Sequence, residues 1–192
     1  MKINEIVDRM IELGREIQRV FPRFYLAGGT ALMIKYKHRI SEDMDFLSER
    51  FFSKMRLLQK FKRFFQMEKV EIGEDNIDFF TQGIKISFVY FPFKNVKRLV
   101  KYEGLKMASD YDIFLNKIYA AGRRIEPKDI YDIAFLYERY KWVKEKVKMD
   151  FEKKFYGQSF EIFLGAVFSL EDYPALDENA RKIIERMIKE WT

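Results

Sequence analysis

Two short strings carry residue types that could do chemistry together: Gly28-Gly29-Thr30 and Asp43-x-Asp45. A Gly-Gly pair between a strand and a helix lets the backbone approach a ligand with no side chain in the way. The helix N-terminus that follows offers unpaired amides and a partial positive charge, which together make a phosphate site. Thr30 could add its hydroxyl to that site or cap the helix. Asp43 and Asp45, two apart on a strand, project from one face with Cα atoms roughly 6–7 Å apart. Two carboxylates at that spacing repel by about 2–3 kcal/mol at an effective dielectric of about 20. A divalent cation removes this cost, and Mg²⁺ (or Mn²⁺) favours one or two carboxylates plus phosphate oxygens and waters. The pair therefore suits a metal-bound triphosphate whose α-phosphate an oxygen nucleophile attacks in line. Either string alone is commonplace, as a structural turn or a solvated pair. Their succession as strand, Gly-Gly-Thr, helix and Asp-x-Asp strand carries the information.

The elements that must position these residues are legible in the hydrophobic pattern. Ile6, Met10, Leu13, Ile17 and Val20 describe one face of an opening amphipathic helix that Pro22 ends. Phe24 to Ala27 reads as a short buried strand, Ala31 to Lys37 as a helix, and Met44 to Leu47 as a second strand. On that strand Met44 and Phe46 share one face, and Asp43 and Asp45 the other. Phe52 to Phe65 is a basic, aromatic helix. Three strands are expected at 69–72, 77–81 and 84–91, with Asp75-Asn76 and Gly83 supplying turns. From about Lys94 the pattern reads as helical. Ser109 and Asp112 form a capping box before a helix over 113–124, and Pro127 opens the helix 127–140. Two or three helices follow, the last N-capped by Asp177. The expected fold class is α+β, a mixed sheet flanked by helices (residues 1–93) followed by a helical C-terminal region (94–192).

The string LAGGTALMIKYKHRISEDMDF resembles the AbiEii-like toxins of the nucleotidyltransferase superfamily, which show a Leu-x-Gly-Gly-Thr-x-Leu turn and then His-Arg-x-Ser-x-Asp-x-Asp. Asp112 to Ala120, Arg123 and Lys128-Asp129-Ile130-Tyr131-Asp132 resemble the same group's downstream Lys and Arg/Lys-Asp-x-x-Asp motifs. The resemblance covers roughly residues 22–140 and implies a nucleotidyltransferase-like sheet. It also implies that Gly28, Gly29 and Thr30 hold a nucleoside triphosphate, that Asp43 and Asp45 bind Mg²⁺, and that Lys117 neutralises phosphate charge. Asp129 is then placed in the cleft between the halves as a base or a lysine partner, with Asp132 orienting the cluster. Arg39 could contact phosphate or pair with Asp43, and His38 reads as a structural hydrogen-bonder rather than a ligand. Many nucleotidyltransferases carry a third carboxylate beside the Asp-x-Asp pair. Here that position aligns with Ser87, which can be neither a carboxylate base nor a charged ligand for a second metal. Glu71, Asp78 or Asp129 could compensate.

Composition bounds the partners. The chain has 192 residues, 48% of them hydrophobic, enough to bury a core. It lacks cysteine, which excludes disulfides, thiolate nucleophiles and Cys-ligated metals, and its single His38 excludes multi-histidine sites. A formal charge of +6 fits an anionic partner such as a nucleotide or RNA. Lys94, Lys97, Arg98 and Lys101 are expected to form a basic helical edge. Lys54, Arg56, Lys60, Lys62 and Arg63 form a second basic patch interleaved with Phe61, Phe64 and Phe65. The start of the chain does not read as a signal peptide, and no apolar run approaches membrane-spanning length, so a cytoplasmic protein is expected. The resemblance implies the toxin of a toxin–antitoxin pair that transfers a nucleoside monophosphate to RNA, tRNA above all, with an antitoxin protein as partner. The competing reading is a non-catalytic nucleotide- or RNA-binding module on the same fold that acts through a protein partner.

Overall fold

The structure is a computed structural model that describes residues 3–192. It forms two compact units, one running to Lys94 and including Arg98–Ser109, the other made of Asn95–Lys97 and Asp110–Thr192. Among the described residues no helix is long and apolar enough to cross a membrane.

The first unit is built on one mixed sheet of seven strands: β1 (Tyr25–Ala27), β2 (Asp43–Ser48), β3 (Lys69–Ile72), β4 (Asn76–Thr81), β5 (Ile84–Tyr90), β6 (Val100–Tyr102) and β7 (Leu105–Met107). Their spatial order is β3-β4-β5-β2-β1-β7-β6. β2 runs antiparallel to β1 and parallel to β5. Helices α1 (Ile3–Val20), α2 (Gly28–Tyr36) and α3 (Lys54–Phe64) complete the unit. The apolar stripe of α1 is buried at Ile6, Met10, Leu13 and Ile17, as the spacing predicts. Gly14 sits in the same helix because a Cβ there would come within 2.9 Å of Leu105 and 3.1 Å of Met44. α1 therefore packs close over the centre of the sheet.

Alternation along β2 and β5 sorts the two faces of the sheet. Met44, Phe46, Ile86 and Phe88 are fully buried. Phe88 anchors an aromatic cluster, with ring centroids 5.0 Å from Phe21, 4.9 Å from Phe24 and 5.6 Å from Phe46. Phe61 of α3 stacks on Phe79 at 4.0 Å. Of the aromatics read into the basic patch, Phe61 thus belongs to the core, while Phe64 is exposed.

The helical reading from Lys94 onward is corrected. Val100–Tyr102 and Leu105–Met107 are a hairpin of the sheet, so Lys94, Lys97, Arg98 and Lys101 do not line a helix. Glu103 and Gly104 both take positive φ (48° and 75°), the backbone that a two-residue hairpin turn of matching twist requires. The hairpin is tied to α1. Arg15 donates to the Glu103 carbonyl at 2.6 Å, and the Gln18 amide exchanges two hydrogen bonds with the Lys106 backbone at 2.7 and 2.8 Å. A second correction is smaller: the helix read from Ala31 begins at Gly28 itself.

The second unit contains α4 (Asp110–Ala121), α5 (Pro127–Tyr140), α6 (Lys144–Lys154), α7 (Phe160–Phe168), a short 3₁₀ turn (Leu170–Asp172) and α8 (Glu178–Trp191). Asp177 caps α8 as expected, accepting from the Ala180 amide at 3.0 Å. Trp191 closes the bundle against Phe114, Tyr137 and Phe160. The unit also buries an ion pair. Lys154 Nζ lies 2.7 Å from Asp112, and both side chains are wholly inaccessible. The Asp112 carboxylate also accepts from the backbone amides of Val96 and Lys97 at 2.7 and 2.9 Å. This pins the short 95–97 segment to the bundle. Removing one partner of such a pair leaves an uncompensated buried charge, so Lys154→Met is expected to lower stability by about 3–5 kcal/mol in urea unfolding. Asp112→Asn/Lys154→Met should regain part of that loss; a single variant as stable as the parent would contradict this account.

Candidate functional site

β1 ends where α2 begins, and the junction is made by Gly28, whose φ is +71°. A Cβ on Gly28 would stand 2.8 Å from Oδ2 of Asp45, so the missing side chain is what lets the carboxylate lie against the backbone there. Ala27 precedes α2 in an extended conformation and has no side-chain group with which to cap it. The first amides of α2 belong to Gly28, Gly29 and Thr30, and Gly29 and Thr30 are buried. Thr30 does not cap the helix. Its hydroxyl donates to the Asp43 carbonyl and lies 2.8 Å from Ser41 Oγ, so it ties the loop before β2 to the start of α2. The Arg39 guanidinium in that loop donates to the Ile40 carbonyl at 3.1 Å.

Register arranges the remaining groups. Asp45 is opposite Ala27 on one side and Ser87 on the other, Ser87 is opposite Asp78, and Asp78 is opposite Glu71. Directly paired residues on neighbouring strands share a face, so Asp45, Ser87, Asp78 and Glu71 form one row. Asp43 is opposite Lys85, whose ammonium lies 3.6 Å from its Oδ2. Asp43 is exposed, Asp45 and Lys85 are half-buried and Ser87 is buried. Ser87 therefore lies directly opposite Asp45 on the adjacent parallel strand. Asp78 is two strands from Asp45, roughly 10 Å away at ordinary strand spacing, and receives a hydrogen bond from Asn76 at 2.8 Å. Among the described residues no group of three or more acidic, His or Cys side chains is placed to hold a metal ion. Asp43 and Asp45 provide two carboxylates on one face. That donor set fits an Mg²⁺ completed by phosphate oxygens and waters; the residue opposite Asp45 on β5 is Ser87, which adds no third carboxylate for a second ion.

Lys85 escaped the sequence reading. Its signal was the i, i+2 pair Lys85-x-Ser87, which repeats the Asp43-x-Asp45 alternation on what proves to be the adjacent parallel strand.

The second unit holds a separate charged cluster. Lys117 of α4 is buried, and its Nζ lies 2.6 Å from Asp129 and 2.8 Å from Asp132 of α5. The motif spacing brings these three together. Arg124 lies in the turn beyond α4 rather than on the helix, and reaches Asp129 at 2.8 Å. Burial alone would lower the pKa of Lys117, but the charges of Asp132 and Asp129 outweigh it and raise it above the ordinary lysine value of 10.5. Burial likewise opposes the charge of Asp129, but Lys117 and Arg124 together hold its pKa below the ordinary 3.8. The depressed Asp129 contributes stability above about pH 3.8, lost as pH falls through its lower folded value. The raised Lys117 contributes stability below about pH 10.5, lost as pH rises through its higher folded value. We predict a stability plateau across neutral pH, read by thermal melts, that falls at both edges. Lys117→Met should be destabilised by about 3 kcal/mol at pH 7 and lose the alkaline edge; an unchanged pH profile in that variant would contradict the assignment.

A model of the family described as "Nucleotidyl transferase AbiEii toxin, Type IV TA system" matches residues 13–108, which include both strings and strands β1 to β7. An uncharacterized protein of Aquifex aeolicus (strain VF5) is 28% identical over 97% of this chain and 94% of its own. Two crystal structures from Helicobacter pylori share the fold. One, described as a candidate nucleotidyltransferase, has a TM-score of 0.58 at 19% identity, covering 95% of this chain and 89% of that one. The other, of the protein JHP933, has a TM-score of 0.52 at 16% identity, covering 94% and 92%.

Proposed function

Since the chain belongs to the AbiEii nucleotidyltransferase toxin family, we propose that it transfers a nucleoside monophosphate from a triphosphate to an RNA acceptor, tRNA above all, as the toxin of a toxin–antitoxin pair. The observation that carries this reading is the approach of Asp45 to Gly28, which brings a carboxylate to the start of α2, where the N-cap residue Ala27 makes no side-chain bond. A helix N-terminus favours phosphate oxygens, and Asp43 and Asp45 would hold the Mg²⁺ that travels with them. Bound there, the ion would supply Lewis-acid stabilisation of charge on the reacting phosphate. In the transfer an acceptor oxygen bonds to the α-phosphorus, the bond to the bridging oxygen breaks, and pyrophosphate leaves.

The residues of the row divide the remaining work. The α2 amides orient the triphosphate. Lys85 supplies a fixed positive charge beside Asp43. Ser87 beside Asp45 has no carboxylate to accept the acceptor's proton, so that proton leaves through water or another group. In the second unit the same reading gives Lys117 the role of phosphate-neutralising cation, with Asp129 as its partner. The pairing of Lys117 with two aspartates supports a lysine kept charged and fixed in direction. The presence of Ser87 favours a second reading, a nucleotide- or RNA-binding module without transfer activity.

One experiment separates the two. Purified protein is incubated with Mg²⁺, total RNA and each α-labelled nucleoside triphosphate in turn, beside Asp45→Asn. We expect label on RNA with one or more nucleotides, and at least a 100-fold loss in the variant, the scale for removing a group that acts on the transition state. Label on protein would keep the transferase and overturn the RNA acceptor. No label anywhere, with triphosphate still bound, would support the binding module.

A further inference from the structure

A cavity of about 610 Å³ opens on the first unit, lined by Phe21 to Phe24, by Phe51 to Ser53, and by Arg56 and Lys60 of α3. It lies at the opposite end of β1 and β2 from Gly28 and Asp45. Its residues precede β1 and follow β2, whereas Gly28 follows β1 and Asp43 begins β2. Nothing in the proposed transfer uses it. The volume is that of a small-molecule or single-nucleotide site.

Its chemistry is one-sided. Arg23, Arg56 and Lys60 line it, and among the described residues no aspartate or glutamate does. Arg50 adjoins them: burial, and then the charge of Arg50, pull the Arg23 guanidinium below its ordinary pKa. Like charges gathered without a lining carboxylate leave the fold with a repulsion that an anion would relieve. The cavity is also aromatic. The Arg23 guanidinium sits 5.0 Å from the Phe24 ring centroid and 5.4 Å from that of Phe52, which fixes its direction. Phe51 at the rim is 72% exposed, and its ring packs edge-on against Tyr90 at 5.6 Å. An exposed ring beside fixed guanidinium groups is the combination that stacks a base while gripping the flanking phosphates. An acidic protein segment would use the charges and leave Phe51 idle.

We propose that this cavity binds single-stranded RNA, with a base stacked on Phe51 and backbone phosphates held by Arg23, Arg50 and Arg56. The site holds RNA by contacts remote from the Gly28 and Asp45 end of the sheet. Its occupancy does not require triphosphate, so it stands or falls apart from the transfer reaction.

The test is fluorescence anisotropy of a labelled single-stranded RNA with the full chain, without triphosphate, across a salt series. All four substituted residues are exposed, so circular dichroism should match the parent. Arg23→Gln/Arg50→Gln/Arg56→Gln is expected to weaken binding at least tenfold and to reduce the slope of log K against log salt by about 2, the counterion release of three phosphates on a single strand. Phe51→Ala alone should cost about fivefold or more with an unchanged salt slope. Lys101→Gln/Lys141→Gln/Lys153→Gln removes the same charge elsewhere and should bind nearly as the parent does. Equal loss in that control, an unaffected Phe51→Ala, or competition by poly-glutamate as strong as by unlabelled RNA would overturn the proposal.

Discussion

The register between β2 and β5 is the constraint on which the candidate site depends. Parallel pairing sets Asp45 beside Ser87 and Asp43 beside Lys85, and a slip of one residue would turn the pair on the slipped strand to the opposite face and part it from the other. That slip is prevented from below, because Met44, Phe46, Ile86 and Phe88 alternate with them and are fully buried. The aromatic cluster around Phe88 thus does two things. It makes the core of the first unit, and it decides which side chains meet on the face above.

β1 contributes the other half of the geometry. Its antiparallel pairing with β2 puts Ala27 beside Asp45, so the strand ends where the carboxylates begin. Gly28 then turns the chain directly into α2 with φ positive, and the space a Cβ would need is taken by Asp45. Thr30 fastens the loop back to Asp43 through its carbonyl. Sheet, turn and helix start are one mechanical unit, and it sits within the span matched by the family.

Much of this was legible in the sequence because period and chemistry agreed. Asp43 and Asp45 alternate with buried Met44 and Phe46, the stripe of α1 is unbroken, and Pro127 and Asp177 mark helix starts by local rules that tertiary structure did not override. What stayed hidden was non-local. Val100–Tyr102 and Leu105–Met107 are each three residues long, too short for a period-2 signal, and they exist as strands because β1 offers an edge and α1 holds the turn through Arg15 and Gln18. Lys85 became visible only when parallel pairing placed it beside Asp43. Lys117, Asp129 and Asp132 could be named from the resemblance to the family's motifs, yet the packing that buries the lysine against the two aspartates that keep it charged is a property of the folded helices.

On the proposed function, a row of Asp45 and Ser87, with Lys85 beside Asp43, would hold one divalent ion rather than two. The most direct measurement is the stoichiometry of Mn²⁺ bound by the full chain in the presence of a non-transferable triphosphate analogue, read by electron paramagnetic resonance of the free ion. The account predicts one Mn²⁺ in total for each chain–analogue complex, after subtraction of the ion held by unbound analogue, and a loss of this complex in Asp43→Asn/Asp45→Asn while the circular dichroism spectrum is kept. Two ions per chain, or one ion retained in the double variant, would contradict it.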